Sequence, residues 1–520
     1  MELKNTVIGL ELGSTRIKAV LMEKDGHKPV ASGSYEWASR YVNGIWTYPM
    51  AQVMEGLQAC FADLKKDTLE KTGTPLTTAG AIGVSAMMHG YLPFDKDGKQ
   101  LSEFRTWQNT ITGEAAAKLS DLFGFNIPQR WSIAHLYQAI LNGESHVKDI
   151  DYLTTLAGYI HYLLTGERIM GVGEASGMFP IDSEKLDYCE DMVQKFDALH
   201  SFPWKLRDIL PKVVAAGDYG GILTEKGALL LDPTGEFTPG IPVAPCEGDA
   251  GTGMAATNSV RVQTGNVSAG TSDFAMLVVD RALGVHREID MVTTPAGQPV
   301  AMVHCNNCTS DLNAWVSLFS EFAEAIGAKV DKGELFTLLF RKALEGDADC
   351  GGLLSYNYYS GEGVTDVDTG RPVFLRKPEA PMTLPNFMRT HLSSALATLK
   401  IGLDILTKEE NVPITKLYGH GGYFKTPEVG QRLLSAAVNA PVSVMETAGE
   451  GGPYGMALLA AYMLWREDGE SLADYLDNKV FAAAKSSTIM ANETEIAGFD
   501  AFLGRYKAAF PVEVAAGETL

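Results

Sequence analysis

Two short glycine turns in this chain could do chemistry on a phosphate. Gly13-Ser14-Thr15 lies near the N-terminus with Lys18 just beyond it, and Gly270-Thr271-Ser272 lies about half the chain later. Backbone N–H groups converge in such turns, and the hydroxyls of Ser14, Thr15, Thr271 and Ser272 add donors for phosphate oxygens. Lys18 is the nearest cation in sequence, and it reads equally as an exposed strand residue. A third cluster, Gly419-His420-Gly421-Gly422, follows a strand pattern at 415–419 and precedes a helix pattern at 427–439. A fourth, GEGGPYG, opens a helix pattern at 455–465. A strand, a glycine-rich bend and a helix make a nucleotide platform, because glycine lets a base or ribose lie against the backbone.

Charge explains why backbone donors matter here. There are 43 basic and 64 acidic residues, a net charge of −21, and no basic run longer than a pair such as Lys65-Lys66. That balance argues against nucleic acid or an anionic membrane as a partner. A phosphate must then be held by backbone N–H groups, a metal ion and a few local cations. With 46% hydrophobic and 21% charged residues the composition is that of an ordinary globular protein. A chain of 520 residues exceeds one core, so two large domains with a cleft between them are expected. The N-terminal MELKNTVIGLEL has no basic segment leading into an apolar core, and no apolar run approaches the ~20 residues of a bilayer span, so a cytoplasmic location is expected. Six cysteines suit a reducing compartment, and Cys305 and Cys308 form one CxxC without the second pair a zinc site wants.

Local patterns supply the elements that position these residues. Segments 6–12 and 17–22 read as strands joined by the Gly13 turn, and Asp25-Gly26 turns the chain into a third strand, an antiparallel meander. Val53, Leu57, Phe61 and Leu64 form a helical stripe over 50–66, and a buried strand follows at 80–86. Helices are predicted at 113–123, 133–142 and 152–164, the last ending at Thr165-Gly166. Proline- and glycine-rich 232–248 reads as loops running into a short strand, and the domain boundary is set just after it, at 257/258. Strands at 260–267 and 273–279 around the Gly270 turn then repeat the opening theme. Helices are predicted at 309–327, 333–345 and 386–407, and a strand at 441–445. The last ~50 residues read as a helical appendage. Two strand–turn–strand units, one opening each half, suggest a duplicated α/β domain.

Taken together, these segments resemble the FGGY family of carbohydrate kinases, in order and over nearly the whole chain. GLELGSTRIKA resembles its first phosphate motif, with Glu11 where the family has aspartate, and AIGVSAMMHG its sugar-side strand ending in Met88-His89. TWQNTIT stands at its Trp-Asn-Asp-x-Arg stretch, with Trp107 and Asn109 there and Ile111 at the arginine's place. YIHYLLTGE and EASGMFPID are similar to the helix and Ala-Ser-Gly turn that follow. PCEGDAGTGM resembles the Gly-Gly-Asp motif, VSAGTSDFAML the second phosphate motif, YSGE a family loop, and GHGG with GEGGPYGMALLAA the adenosine-side motifs.

The resemblance implies two ribonuclease H-like (actin-like ATPase) domains, a sugar-binding lobe at 1–257 and a nucleotide-binding lobe at 258–520. It implies ATP and Mg2+, Asp249 as catalytic base, and Met88, His89, Trp107, Asn109 and Asp249 at the sugar. Gly13, Ser14, Thr15, Lys18, Gly270, Thr271, Ser272, Gly421 and Gly422 fall at the nucleotide, and Glu11 at the metal. Glutamate at 11 moves the charge by about 1 Å relative to aspartate, which a metal site must absorb by repacking. The expected activity is phosphorylation of a small sugar, xylulose first and L-ribulose second. A gluconate or ketohexose kinase and a slow regulatory ATPase are the alternatives. A homodimer is compatible with the sequence, which does not fix the oligomeric state.

Overall fold

The computed structural model describes residues 1–445 and 451–520. The chain forms two compact units: Met1–Val260 with Asp290–Val300 and Glu450–Ala483, and Arg261–Ile289 with Ala301–Gly449 and Ala484–Leu520. Residues 290–300 and 450–483, expected with the second half, thus cluster with the first. No helix is long and apolar enough to cross a membrane among the described residues.

The first unit is built on a seven-stranded mixed sheet. Strands β1 (Thr6–Leu12), β2 (Arg16–Glu23) and β3 (Pro29–Glu36) form the antiparallel meander, and Ala81–Ala86 runs parallel to β1 on its other side. Pro242–Val243 and Glu247–Gly248 both pair in parallel with Ala81–Ala86. Every residue of β1 is buried, which explains its near-continuous apolar sequence. Helix α1 (Met50–Thr72) buries Val53, Leu57, Phe61 and Leu64, and runs beyond the expected stop at 66 to a left-handed Gly73 cap.

Register fixes which helix covers which face. Gly33 pairs with Ala19, and Ala19 with Leu10, so these three share a face, and a Cβ on Gly33 would meet the α1 backbone at Cys60 and Leu64. Gly9 points the other way, and a Cβ there would lie 2.0 Å from the Pro453 carbonyl oxygen of helix Gly451–Trp465. Glu11, Lys18 and Ser85 share the Gly9 face by the same alternation. Helices therefore cover both faces of the sheet, as a sheet buried on both sides requires.

The second unit repeats the hairpin and the parallel strands beside it, with Ile289–Thr293 added at the sheet's edge. Strands Thr264–Ala269 and Asp273–Val278 pair antiparallel around the Gly270 turn, with the strand ending at Cys305 next in line. Lys416–His420 lies parallel on the other side, followed by Val442–Met445, also parallel. Helix Leu384–Asp404 is buried along nearly all its length.

Two expectations need correction. Predicted helix 152–164 begins as strand Tyr152–Thr154, and the helix is Leu156–Thr165, where the Thr155 side chain accepts the Gly158 N–H as N-cap. The last ~50 residues are more than an appendage. Ser486–Ile489 closes the second sheet beside Val442–Met445, and Tyr506 is buried, its carbonyl accepting the Tyr356 hydroxyl at 2.5 Å. Of the glycine-rich GEGGPYG, Gly449 and Glu450 lie outside the described residues.

Candidate active site

The Gly13 turn is held by three aromatic rings, of which the sequence singled out only Trp107. Gly13 N–H donates to the Arg16 carbonyl at 2.9 Å, closing the hairpin. Trp37 Nε1–H donates to the Gly13 carbonyl at 2.6 Å, and the Tyr48 hydroxyl donates to the Ser14 carbonyl at 2.6 Å. Trp107 Nε1–H reaches the Ser14 hydroxyl at 3.2 Å, which puts this expected sugar residue beside the phosphate turn. Asn109 is buried, and its amide is spent on protein: Oδ1 accepts from Trp46 N–H at 2.8 Å, and Nδ2 donates to the carbonyls of Trp46 and Thr106, each at 2.9 Å. These bonds anchor the Ile45–Thr47 strand.

Glu11 and Lys18 face each other across the hairpin, Lys18 Nζ 3.6 Å from Glu11 Oε2. Burial pushes the Glu11 carboxyl up to about 7, with Lys18 opposing and the nearby Asp249 charge adding. Among the described residues no group of three or more His, Cys, Asp or Glu is arranged to hold a metal ion. Magnesium does not require one beside a nucleotide, because it keeps waters and takes one or two carboxylates. A desolvated Glu11 beside a second carboxylate is negative charge that such a cation would relieve.

Asp249 opens helix Asp249–Ala256, and its Oδ1 accepts the Met88 N–H at 3.1 Å, so two motifs far apart in sequence meet. Burial raises its carboxyl above the usual range, opposed by the N–H groups of Met88 and Ala250. His89 follows in a left-handed conformation, φ +71°. Its Nδ1 donates to the Gly177 carbonyl at 3.1 Å, and its Nε2 accepts from Arg130 Nε–H at 3.2 Å, which fixes the neutral tautomer. Both ring nitrogens are thus committed to protein. Arg130 is itself ion-paired with Asp290, which also accepts from Asn126 Nδ2 at 3.0 Å. The Ala-Ser-Gly turn supports this from behind, the Ser176 hydroxyl accepting the Thr293 N–H at 3.0 Å.

Behind Asp249 lie two buried carboxyls. Glu247 accepts the N–H groups of Gly173 and Glu174 at 3.3 and 2.9 Å, and burial pushes it up to about 8. Glu174 is fully buried, and burial, with Glu247 and Asp249 adding, holds it well above the carboxylate range. A group raised in the folded state contributes stability that is complete below its unfolded value near 4.5 and is lost as pH rises through about 8. The stability difference between wild type and Glu247→Gln should therefore fall across that window by about 1.4 kcal/mol per pH unit. Urea unfolding at a series of pH values checks it, and a pH-independent difference would contradict the assignment.

In the second unit the Gly270 turn and the Gly421 bend are adjacent. Gly270 and Thr271 carbonyls accept from Thr309 and Cys308 N–H at 3.0 and 2.9 Å. Thr271 is exposed and Ser272 partly so. Gly421 has φ +95°, and a Cβ there would lie 2.5 Å from the Ala269 carbonyl oxygen, so glycine is required on both counts. Gly422 meets nothing within 4 Å, leaving open space above it. His420 is held neutral, its pKa lowered to about 4 by burial, with Nε2 3.2 Å from Asn266 Nδ2. Asp273 and Glu362 are buried with raised pKa values, Glu362 accepting the N–H groups of Asn306 and Asn307. An acidic residue opening an apolar strand, as in Asp273-Phe-Ala-Met-Leu-Val, is the signal that marks Asp273.

Comparison with known proteins matches both halves of the chain. The N-terminal domain of the FGGY family of carbohydrate kinases matches residues 6–255, and the family's C-terminal domain matches 265–464. A xylulose kinase of Haemophilus influenzae is 21% identical over 520 residues, covering 96% of this chain and 98% of that protein. Among solved structures, a gluconate kinase from Lactobacillus acidophilus has a TM-score of 0.80 at 16% identity, covering 99% of each chain. A xylulose kinase from Rhodospirillum rubrum has a TM-score of 0.78 at 20% identity, covering 98% of each. With both domains of one family matched in order, the chain belongs to the FGGY family of carbohydrate kinases.

Proposed function

We propose that this carbohydrate kinase transfers the γ-phosphate of ATP, with Mg2+, to a hydroxyl of a ketopentose, xylulose first and L-ribulose second, in the cytoplasm. The observation that carries the reading is the 3.1 Å bond joining Met88 N–H to Asp249 Oδ1, which ties the sugar-side strand to the base. Relatives named xylulose kinase that align over nearly their full length support the order of substrates. In each unit an antiparallel hairpin around a glycine turn is extended by parallel strands beside its first strand, which supports two ribonuclease H-like domains.

In the mechanism we infer, Asp249 accepts the proton of the sugar hydroxyl. The freed oxygen forms a bond to the γ-phosphorus as the bond to the leaving ADP breaks. The raised basicity of the Asp249 carboxylate suits that proton transfer. The hydroxyl and N–H groups of Ser14, Thr15, Thr271 and Ser272 are the donors for phosphate oxygens. Glu11 is the carboxylate that would hold Mg2+, which supplies neutralisation of phosphate charge when bound. His89, with both nitrogens committed, acts by holding Arg130. The sugar is to be found by measuring ADP release with ATP and Mg2+ across ketopentoses, ketohexoses and aldonates. One sugar should raise turnover strongly. An aldonate as best substrate would favour gluconate, and a flat response would favour a regulatory ATPase.

A further inference from the structure

The departure at position 11 has a counterpart on the helix above it. Helix Gly451–Trp465 lies on the sheet face shared by Gly9, Glu11 and Lys18, its backbone already against Gly9. One residue before Pro453 the chain passes over the tip of Glu11, and a Cβ on Gly452 would lie 1.9 Å from Oε1 and 3.2 Å from Oε2. Gly452 and Gly451 are glycines for different reasons. Gly451 has φ +71°, whereas Gly452 is not among the residues with positive φ, and the backbone restriction on it is the milder one that Pro453 places on the residue before it. The atoms nearest the missing Cβ are all of the Glu11 carboxylate. The position before Pro453 gives glycine a backbone reason, and the Glu11 carboxylate adds a steric one specific to this chain.

We propose that Glu11 and Gly452 are a matched positioning pair: the absence of a side chain at 452 makes the room that one extra methylene at 11 requires. Glu11 has little other freedom. It is buried, flanked by Lys18 on the neighbouring strand and by Ser85 on the other side. An alanine at 452 would displace the carboxylate, since the clashing atoms are the end of a side chain and the helix backbone is fixed against β1. Aspartate at 11 is one methylene shorter and withdraws from the space, so the same alanine would then be accommodated. The pair answers how a kinase of this family can keep glutamate where aspartate is usual, and its functional half rests on the kinase reading above.

The test is a cycle of Gly452→Ala, Glu11→Asp and the double variant, measured on the ligand-free protein and in turnover. In the ligand-free protein, Gly452→Ala should lower Tm by about 2–6 °C in the wild-type background, where it overfills the space. In the Glu11→Asp background the fall should shrink to about 0–2 °C, what remains being the cost of a Cβ before Pro453. Turnover with MgATP should fall on the order of tenfold for Gly452→Ala in the wild-type background and by a clearly smaller factor in the Glu11→Asp background. Shifts of equal sign and size in both backgrounds would overturn the pair. Absence of any sugar-dependent turnover in the wild type, with the thermal coupling intact, would overturn the kinase reading and leave the pair standing.

Discussion

Asp249→Asn should lower sugar phosphorylation by about 10² to 10⁴-fold while nucleotide binding is retained. The substitution is nearly isosteric, and an asparagine Oδ1 can still accept the Met88 N–H that holds the present side chain at 3.1 Å. What it removes is basicity. Because burial raises the Asp249 carboxyl, the variant also relieves a desolvation penalty and should unfold at no lower temperature than wild type. Steady-state rates, calorimetric titration of an ATP analogue and a melting curve separate the possibilities. A residue that merely capped its helix would lose stability and keep turnover, whereas a base loses turnover and keeps stability.

Glu11→Gln should lower turnover with MgATP by roughly 10²-fold and raise the magnesium concentration needed for half-maximal rate. Glutamine keeps the length and the polar tip, so the space against Gly452 stays filled. The negative charge goes, and Lys18 loses its partner across the hairpin at 3.6 Å. Rates over a magnesium titration read the effect directly. An unchanged magnesium dependence would remove Glu11 from the metal and leave it as a strand residue paired with lysine.

Much of the frame was legible because its patterns are local. The meander of β1, β2 and β3 follows from two apolar runs and two turns, and α1 from a stripe whose four residues are all buried. The strand Tyr152–Thr154 was not, because its apolar residues run on into the stripe of Leu156, Ala157 and Ile160. Thr155 as N-cap was the discriminating signal, since a capping side chain marks where helix begins. Ser486–Ile489 escaped notice because an edge strand of serine and threonine has no alternating apolar face.

At the site the limits are those of pairing over long separation. Asn109 has the chemistry to meet a sugar hydroxyl, yet three of its four amide contacts lie with the backbone of Trp46 and Thr106 and the fourth with the Thr106 hydroxyl, a choice that side-chain type alone does not encode. Arg130 and Asp290 are 160 residues apart and form an ion pair that no spacing rule would propose. Glu174 and Glu247 sit in glycine-flanked segments that read as loops, where exposure is the ordinary expectation for a carboxylate.

The aromatic clamp on the first glycine turn bears on the energetics of ligand capture. Trp37, Tyr48 and Trp107 come from three separate segments, and each donates to Gly13 or Ser14. A free glycine loop would lose conformational entropy on meeting its ligand, and that loss would subtract from affinity. Here the loss falls on folding, when the rings close on the carbonyls. On the proposed reading, a phosphate arriving at Ser14 and Thr15 would meet a template already set, so its residence there would be governed by what it exchanges with water and not by the ordering of the loop.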